Sequence, residues 1–225
     1  MRRFPAEVLP EPGQELHLDP QTSHHVLRVT LLPRGSHLEL FNGSGLSCQV
    51  ELVGAKENLA RVRGLTAPSA NAPVPEIHIV LGLPRKPAVE RVLRMATELG
   101  MTHFWPFVAQ RSVAKGAHPE RWGKLTEQAA RQSGRSDLPR VQSVASLKEQ
   151  LESLPSYLSR VVLTPGAAKG PDPTAPIALL IGPEGGLTPA EMDLAGRHGF
   201  QPRPLGATVL RSDTAVVAAI ARFVL

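Results

Sequence analysis

Apolar and polar positions keep one rhythm up to residue 66 and a different one after residue 76. In the first stretch, short apolar runs at Glu15–Leu18, His37–Phe41, Ser47–Leu52 and Leu59–Val62 are broken by turn signals such as Pro33-Arg34-Gly35 and Asn42-Gly43-Ser44-Gly45. Runs of this kind, with Asn-Gly between two of them, predict strands joined by hairpins. A short helix over Ser23–Val29 interrupts them, and the whole reads as a small β-barrel. Ala67–Pro75, reading APSANAPVP, has no period and predicts a linker.

Beyond the linker, apolar runs alternate with helical spacing. Strands are predicted at Ile77–Leu83, Phe104–Val108, Val161–Leu163, Ile177–Ile181 and Arg203–Leu205. Val89, Val92, Leu93, Ala96 and Leu99 mark one face of a helix that Gly100 ends. Further helices are predicted over 119–133, with Trp122, Leu125 and Ala129 inward, over Leu147–Leu154, over Pro189–His198, and over the apolar closing segment Thr214–Leu225. Alternation of this sort predicts an α/β domain with a mostly parallel sheet and helices on its faces.

Two connections break the alternation. TPGAAKGPDPTAP, between Leu163 and Ile177, has no helical period, although a parallel crossover normally carries a helix and long structureless loops are usually functional. Gly206–Thr214, GATVLRSDT, is a glycine-led loop before the last helix. A third loop is the most informative: LLIGPEGG runs from an apolar strand into a tight turn and then a helix start. Thr188 is placed as N-cap, Pro189 at the first helical position and Glu191 at the third, a capping box, with Leu187 and Met192 spaced as a hydrophobic staple. The turn lacks both the Lys-Ser/Thr of a P-loop and G-x-G-x-x-G spacing, and Glu184 would repel a phosphate, so an uncharged or cationic ligand fits better. If the strands before these loops are neighbours, the loops converge on one site at the carboxyl ends of the strands.

Composition changes the picture in two respects. Cys48 is the only cysteine among 225 residues and the eight histidines are scattered, so neither a disulfide nor a metal site is expected. No run approaches the length of a membrane span and the N-terminus has no signal-peptide core, so a cytoplasmic protein is expected. The net charge of +5 lies wholly in residues 85–140, which carry 11 basic and 5 acidic side chains. A localised basic stretch is the footprint of a nucleic-acid backbone binder, or equally of a solvated helix surface. The absence of G-x-S-x-G and H-E-x-x-H argues against a hydrolase. A purely RNA-binding module stays open on charge alone.

The motifs taken in order point further. SHHVLRV, FNGSG, RVLRMATELGMTHFWPFVAQRSV, EQAARQSGRSDLPRV, IGPEGG, LTPAEMDLA and LGATVLRSDTAVVAAIA resemble the successive blocks of the SPOUT-superfamily 16S rRNA uridine-N3 methyltransferases (RsmE-type), across nearly the whole chain. Arg94 stands where a lysine is common, and Ser212-Asp213 replaces a Thr-Glu pair. The resemblance implies a PUA-like RNA-binding β-barrel over residues 1–70 and a SPOUT α/β domain over 74–225 with a C-terminal deep trefoil knot. It implies S-adenosylmethionine as cofactor, held by Leu163, Thr164, Ile181, Gly182, Pro183, Glu184, Gly185, Leu205, Gly206, Leu210 and Ser212. Gly182 and Gly185 would admit close approach of the ligand. It implies Arg211 as the electrostatic stabiliser of charge on the uracil oxygens, with an ion pair to Asp213 as the bland alternative, and Glu184 as either general base or loop partner. Arg28, Arg111, Arg131, Gln132 and Arg135 are the implied RNA contacts, and 16S rRNA or the small ribosomal subunit the implied partner. A homodimer is implied too, supported by the final segment Ala215–Leu225, apolar on almost every face and so expected to be buried all round.

Overall fold

The computed structural model describes residues 1–70, 75–112 and 119–224. Lys115 of the basic stretch, Leu225 and the middle of the expected linker lie outside the described residues. The chain forms two compact units, Met1–Pro73 with Ala130–Leu138, and Val74–Ala129 with Pro139–Leu225.

The first unit is a sheet in the order β1-β3-β4-β5-β2, with β6 paired to β4. The strands are β1 (Arg2–Pro5), β2 (Glu15–His17), β3 (His37–Phe41), β4 (Leu46–Lys56), β5 (Leu59–Gly64) and β6 (Ser69–Ala70). All pairs are antiparallel except β1 with β3. The pairing does not close into a ring among the described residues. The β3–β4 hairpin turns where the Asn-Gly signal stands: Gly43 and Gly45 have positive φ, and the Asn42 side-chain oxygen accepts from the amides of Ser44 and Leu46. The β4–β5 turn uses Glu57 and Asn58 at φ 53 and 64, the left-handed pair that a two-residue hairpin requires. Helix α1 (Pro20–His24) continues into a π-helical turn at His25–Val29. Phe4, Leu18, Val26, Leu38, Leu40, Val50, Leu52 and Val62 form the core.

Three features depart from the expected pattern. Strand β1 gives no pattern signal, since Phe4 is its one fully buried residue. The linker begins as strand β6, where Ser69 and Ala70 pair with Ser47 and Leu46. The segment Ala130–Leu138 packs in the first unit, although it falls within the expected 74–225 domain. There the Arg3 guanidinium donates to the Arg135 carbonyl, Ser136 Oγ and Glu39. Gly45 and Leu138 exchange backbone bonds with Ser136 and Gly43.

The second unit is a wholly parallel sheet in the order β12-β10-β11-β7-β8-β9. Its strands are β7 (Ile77–Gly82), β8 (His103–Phe107), β9 (Arg140–Val141), β10 (Ser159–Leu163), β11 (Ile177–Ile181) and β12 (Gln201–Arg203). Alternate residues face opposite ways. Ile77, Ile79, Leu81, Ile177, Leu179 and Ile181 pack with helices α2 (Lys86–Glu98) and α6 (Ser212–Phe223) and with Trp122 and Leu125 of α3 (Pro119–Ser133). Val80, Ala178 and Leu180 pack with α4 (Leu147–Ser153) and α5 (Pro189–Arg197). This layering explains why β7 and β11 read as unbroken apolar runs: both faces are covered. Strand β12 ends at Arg203, earlier than expected, and Leu205 passes into a loop. Within the single chain, helix α6 is not buried all round. Ser212, Ala215, Val216, Ala219, Ile220 and Phe223 are buried, whereas Thr214, Ala221 and Arg222 are exposed.

Candidate active site

Strands β12, β10 and β11 are neighbours, so the loops that follow them leave from the same edge of the sheet. They enclose a cavity of about 270 Å³. Leu163 and Thr164 come from the β10 loop, Ile181–Glu184 from the β11 turn, and Leu205, Gly206, Leu210 and Ser212 from the segment after β12. Every expected cofactor residue except Gly185 is therefore on its wall. Pro165, Gly186, Leu187, Met192, Thr208, Val209 and Ala215 also line it and were not expected. Leu187 and Met192 are the staple pair, so the residues that fix the entry to α5 also form part of the wall.

The β11 turn is held locally and from across the sheet. The Gly186 amide donates to the Pro183 carbonyl, and Gly186, at φ 69, takes the left-handed conformation. Thr188 caps α5 through the expected box: its Oγ1 accepts from the Glu191 amide, and its own amide and hydroxyl donate to the Glu191 carboxylate. Burial alone would raise the Glu191 carboxyl. The Thr188 and Gln110 amides, the Thr188 hydroxyl and the Arg111 charge outweigh it and hold the group below the usual carboxylate range.

Two glycines of this turn also leave room for the protein's own groups. A Cβ on Gly182 would lie 3.1 Å from Leu187 Cγ, and one on Gly185 would lie 2.9 Å from Arg111 Cβ. Gly82, at the end of β7, is not on the wall but supports it, and was missed in the sequence: a Cβ there would lie 2.7 Å from Pro183 Cδ and 3.1 Å from Phe107 Cζ. A lone glycine in a strand pattern is the signal that could have exposed this close approach.

Four wall residues, Thr164, Glu184, Thr208 and Ser212, have polar side chains. Glu184 is the only titratable side chain on the described wall, and it is exposed. The Ser212 hydroxyl, in the first turn of α6, is buried with no hydrogen-bond partner among the described residues. A buried hydroxyl without a partner is costly, and a cavity wall is where a ligand could supply one. Together with apolar Leu163, Ile181, Leu205 and Leu210, this donor set suits a ligand with an aromatic ring and a few polar atoms. Arg211 is the N-cap residue of α6, exposed, and not on the cavity wall. Asp213 pairs with Arg91, at 2.8 Å, rather than with Arg211.

The five expected RNA contacts are divided between the units. In the first, Arg28 is exposed and reaches Asn58 Oδ1 at 3.5 Å, and Gln132 is exposed. Arg131 is half-buried, 3.3 Å from His25 Nδ1. Arg135 is 8% exposed and ion-paired with Asp137, a structural position that leaves its fork committed. In the second unit, exposed Arg111 donates to the Gly185 carbonyl at 3.1 Å.

A polar cluster stands at the opposite, amino-terminal end of β7 and β8. Glu76, His78 and His103 bring their donor atoms within 4.8 Å of one another. Trp105 Nε1 donates to His78 Nδ1 at 2.9 Å, which fixes the proton on Nε2, and this in turn donates to Glu76 at 2.8 Å. Both His78 nitrogens are thus used in hydrogen bonds. Burial, aided by the neighbouring His78, pushes His103 down to about 4.

Comparison with known proteins follows from this geometry. Residues 70–224 match the model of the RNA methyltransferase domain family. The chain belongs to that family. It is 31% identical over 210 residues to the ribosomal RNA small subunit methyltransferase E of Synechocystis sp., covering 88% of this chain and 69% of the relative. It is also 31% identical over 240 residues to the protein of the same name from Mycobacterium bovis, covering 96% and 88%. Among solved structures, the ribosomal RNA small subunit methyltransferase E from Neisseria gonorrhoeae, bound to S-adenosyl methionine, superposes with a TM-score of 0.90 at 28% identity, covering 98% of this chain and 95% of that one. A Legionella pneumophila methyltransferase in complex with the same cofactor gives 0.87 at 28%, covering 97% and 95%. The family membership agrees with the resemblance seen in the motifs. No described helix is long and apolar enough to cross a membrane.

Proposed function

We propose that this protein is an S-adenosylmethionine-dependent methyltransferase that methylates N3 of a uridine in 16S rRNA of the small ribosomal subunit. The observation that carries the reading is the three-loop cavity with the Ser212 hydroxyl, which has no hydrogen-bond partner among the described residues, in a chain so similar to a relative solved with this cofactor. The bound cofactor supplies an electrophilic methyl group on a sulfonium. Leu163, Ile181, Leu205 and Leu210 would present the apolar wall for its adenine, and Ser212 would offer its hydroxyl.

The uridine N3 lone pair becomes available when its proton leaves and the charge spreads onto O2 and O4. Arg211 is always protonated and cannot be the base. Its exposed guanidinium, one residue from Leu210 and Ser212, is assigned to stabilise that charge as it develops. Glu184, the one carboxylate on the described wall, is read either as the base that takes the proton or as a partner that orders the turn. A pH–rate profile of Glu184→Gln separates the two, since loss of a base removes the acidic limb and loss of a turn partner does not.

The first unit, with its largely antiparallel sheet, is read as a PUA-like RNA-binding barrel. The three crowded loops of the second are read as a deep trefoil knot. A homodimer, a cytoplasmic location and catalysis without metal complete the reading. Titration calorimetry with S-adenosylmethionine in the presence of a chelator tests its core. One site per chain with chelator present is expected. No binding, or binding abolished by the chelator, overturns it.

A further inference from the structure

The carboxylate of Glu191 is shared between two segments far apart in sequence. One oxygen closes the cap of α5 by accepting from the Thr188 amide at 2.8 Å and from its hydroxyl at 3.0 Å. The other accepts from the backbone amide of Gln110 at 2.8 Å, in the segment that leaves β8. That segment is a tight turn: the Ala109 amide donates to Ser112 Oγ at 3.1 Å, and the Ser112 amide donates to the Ala109 carbonyl at 2.9 Å. Arg111 projects from the turn onto the cofactor-side loop. Its Nη1 donates to the Gly185 carbonyl, and its Cβ packs where a Gly185 side chain would stand.

A helix cap needs only one of those two oxygens. The second spans the sheet edge and fixes the turn that carries Arg111. We infer that Glu191 is a positioning residue for cofactor binding: through Gln110 it sets Arg111 against Gly185 and so holds the Gly182–Gly186 turn in the shape that walls the cavity. This rests on the cavity being the cofactor site. Capping and positioning are separable because a glutamine at the third helical position can still close a capping box. In Glu191→Gln the remaining oxygen serves Thr188, and the amide nitrogen meets the Gln110 N–H donor to donor.

The test uses the full chain with Glu191→Gln, Arg111→Ala, Arg111→Lys and the double variant Glu191→Gln/Arg111→Ala. Hydrogen exchange without cofactor reads the link at the Gly186 amide, whose bond to Pro183 opens when the turn loosens. Both single substitutions are expected to speed exchange there, with no further gain in the double variant, because they break one chain of contacts. Losing a hydrogen bond to a charged group corresponds to about a tenfold weaker dissociation constant for S-adenosylmethionine, and the same factor is expected in either single variant and in the double. Arg111→Lys should recover part of it. Wild-type exchange in Glu191→Gln, faster exchange with unchanged cofactor affinity, or single effects that multiply in the double variant would each overturn the inference and leave Glu191 a helix cap only. If the wild-type chain bound no cofactor, the functional reading would fall, and the exchange data would still decide whether the link exists.

Discussion

Ser212→Ala should move stability and affinity in opposite directions. The wild-type hydroxyl is buried at the start of α6 without a hydrogen-bond partner among the described residues. Burying a polar group unsatisfied costs about 1–3 kcal/mol. Alanine removes that cost, leaves the Cβ in place and is acceptable in the first helical turn. Taking the lower value of about 1 kcal/mol, the ligand-free variant should melt roughly 2–4 °C higher, the shift typical of a chain of this size. With saturating cofactor that gain is largely offset. If the hydroxyl bonds to the ligand, its loss removes about 0.5–1.5 kcal/mol, so the dissociation constant should rise roughly two- to tenfold. Thermal melts with and without saturating S-adenosylmethionine, beside calorimetry, read both effects on one preparation. A ligand-free variant that melts lower, together with an unchanged dissociation constant, would refute the reasoning and give the hydroxyl a purely structural partner.

The remaining expectations concern other parts of the molecule. Gly82→Ala forces a Cβ against Pro183 Cδ at 2.7 Å, so overpacking of about 1–3 kcal/mol should appear in urea unfolding together with weaker cofactor binding, and a wild-type unfolding midpoint would contradict this. Burial and the neighbouring His78 set His103 at about 4, below its ordinary 6.5, so the unfolded chain takes up this proton first as pH falls. The stability concerned is fully present above pH 6.5 and is lost towards pH 4, amounting to about 2 kcal/mol between pH 7 and pH 5. Wild type should lose that much more than His103→Gln over this interval, and equal losses would rule the proton out. Arg211→Ala should lower single-turnover methyl transfer roughly a hundred- to a thousandfold with little change in RNA affinity, and the reverse pattern in filter binding would make Arg211 a docking residue. Arg135→Ala should cost roughly 1.5–3 kcal/mol through loss of its Asp137 pair and leave the salt dependence of RNA binding unchanged, whereas removal of exposed Arg28 should flatten the slope by about 0.7–0.9.

What could be read from the sequence was local in origin. The Thr188–Glu191 cap and the Leu187–Met192 staple lie within a few residues of each other, so their chemistry is written in adjacent letters. The unbroken apolar runs at Ile77–Leu83 and Ile177–Ile181 likewise announce strands covered on both faces. Convergence of the three loops followed once β12, β10 and β11 were adjacent. What was missed depends on partners distant in the chain. That Leu187 and Arg111 pack close beside Gly182 and Gly185 could not be read from the turn itself. Gly82 seemed an ordinary strand residue until Pro183 lay against it. Arg135, expected as an RNA contact, is 8% exposed and ion-paired with Asp137, only two residues away. Segment 130–138 joins the first unit through Arg3, Gly43 and Gly45, which no periodicity within the segment reports.

The central assignment is tested most directly by methyl transfer itself. Purified protein is incubated with S-adenosylmethionine carrying an isotope-labelled methyl group and with small ribosomal subunits from a strain lacking the enzyme. The 16S rRNA is then digested to nucleosides and read by mass spectrometry. The assignment predicts label in N3-methyluridine at one position per subunit, absent without protein and strongly reduced with Arg211→Ala. Label confined to a ribose methyl or to another base, or no transfer by a protein that binds the cofactor, would contradict it.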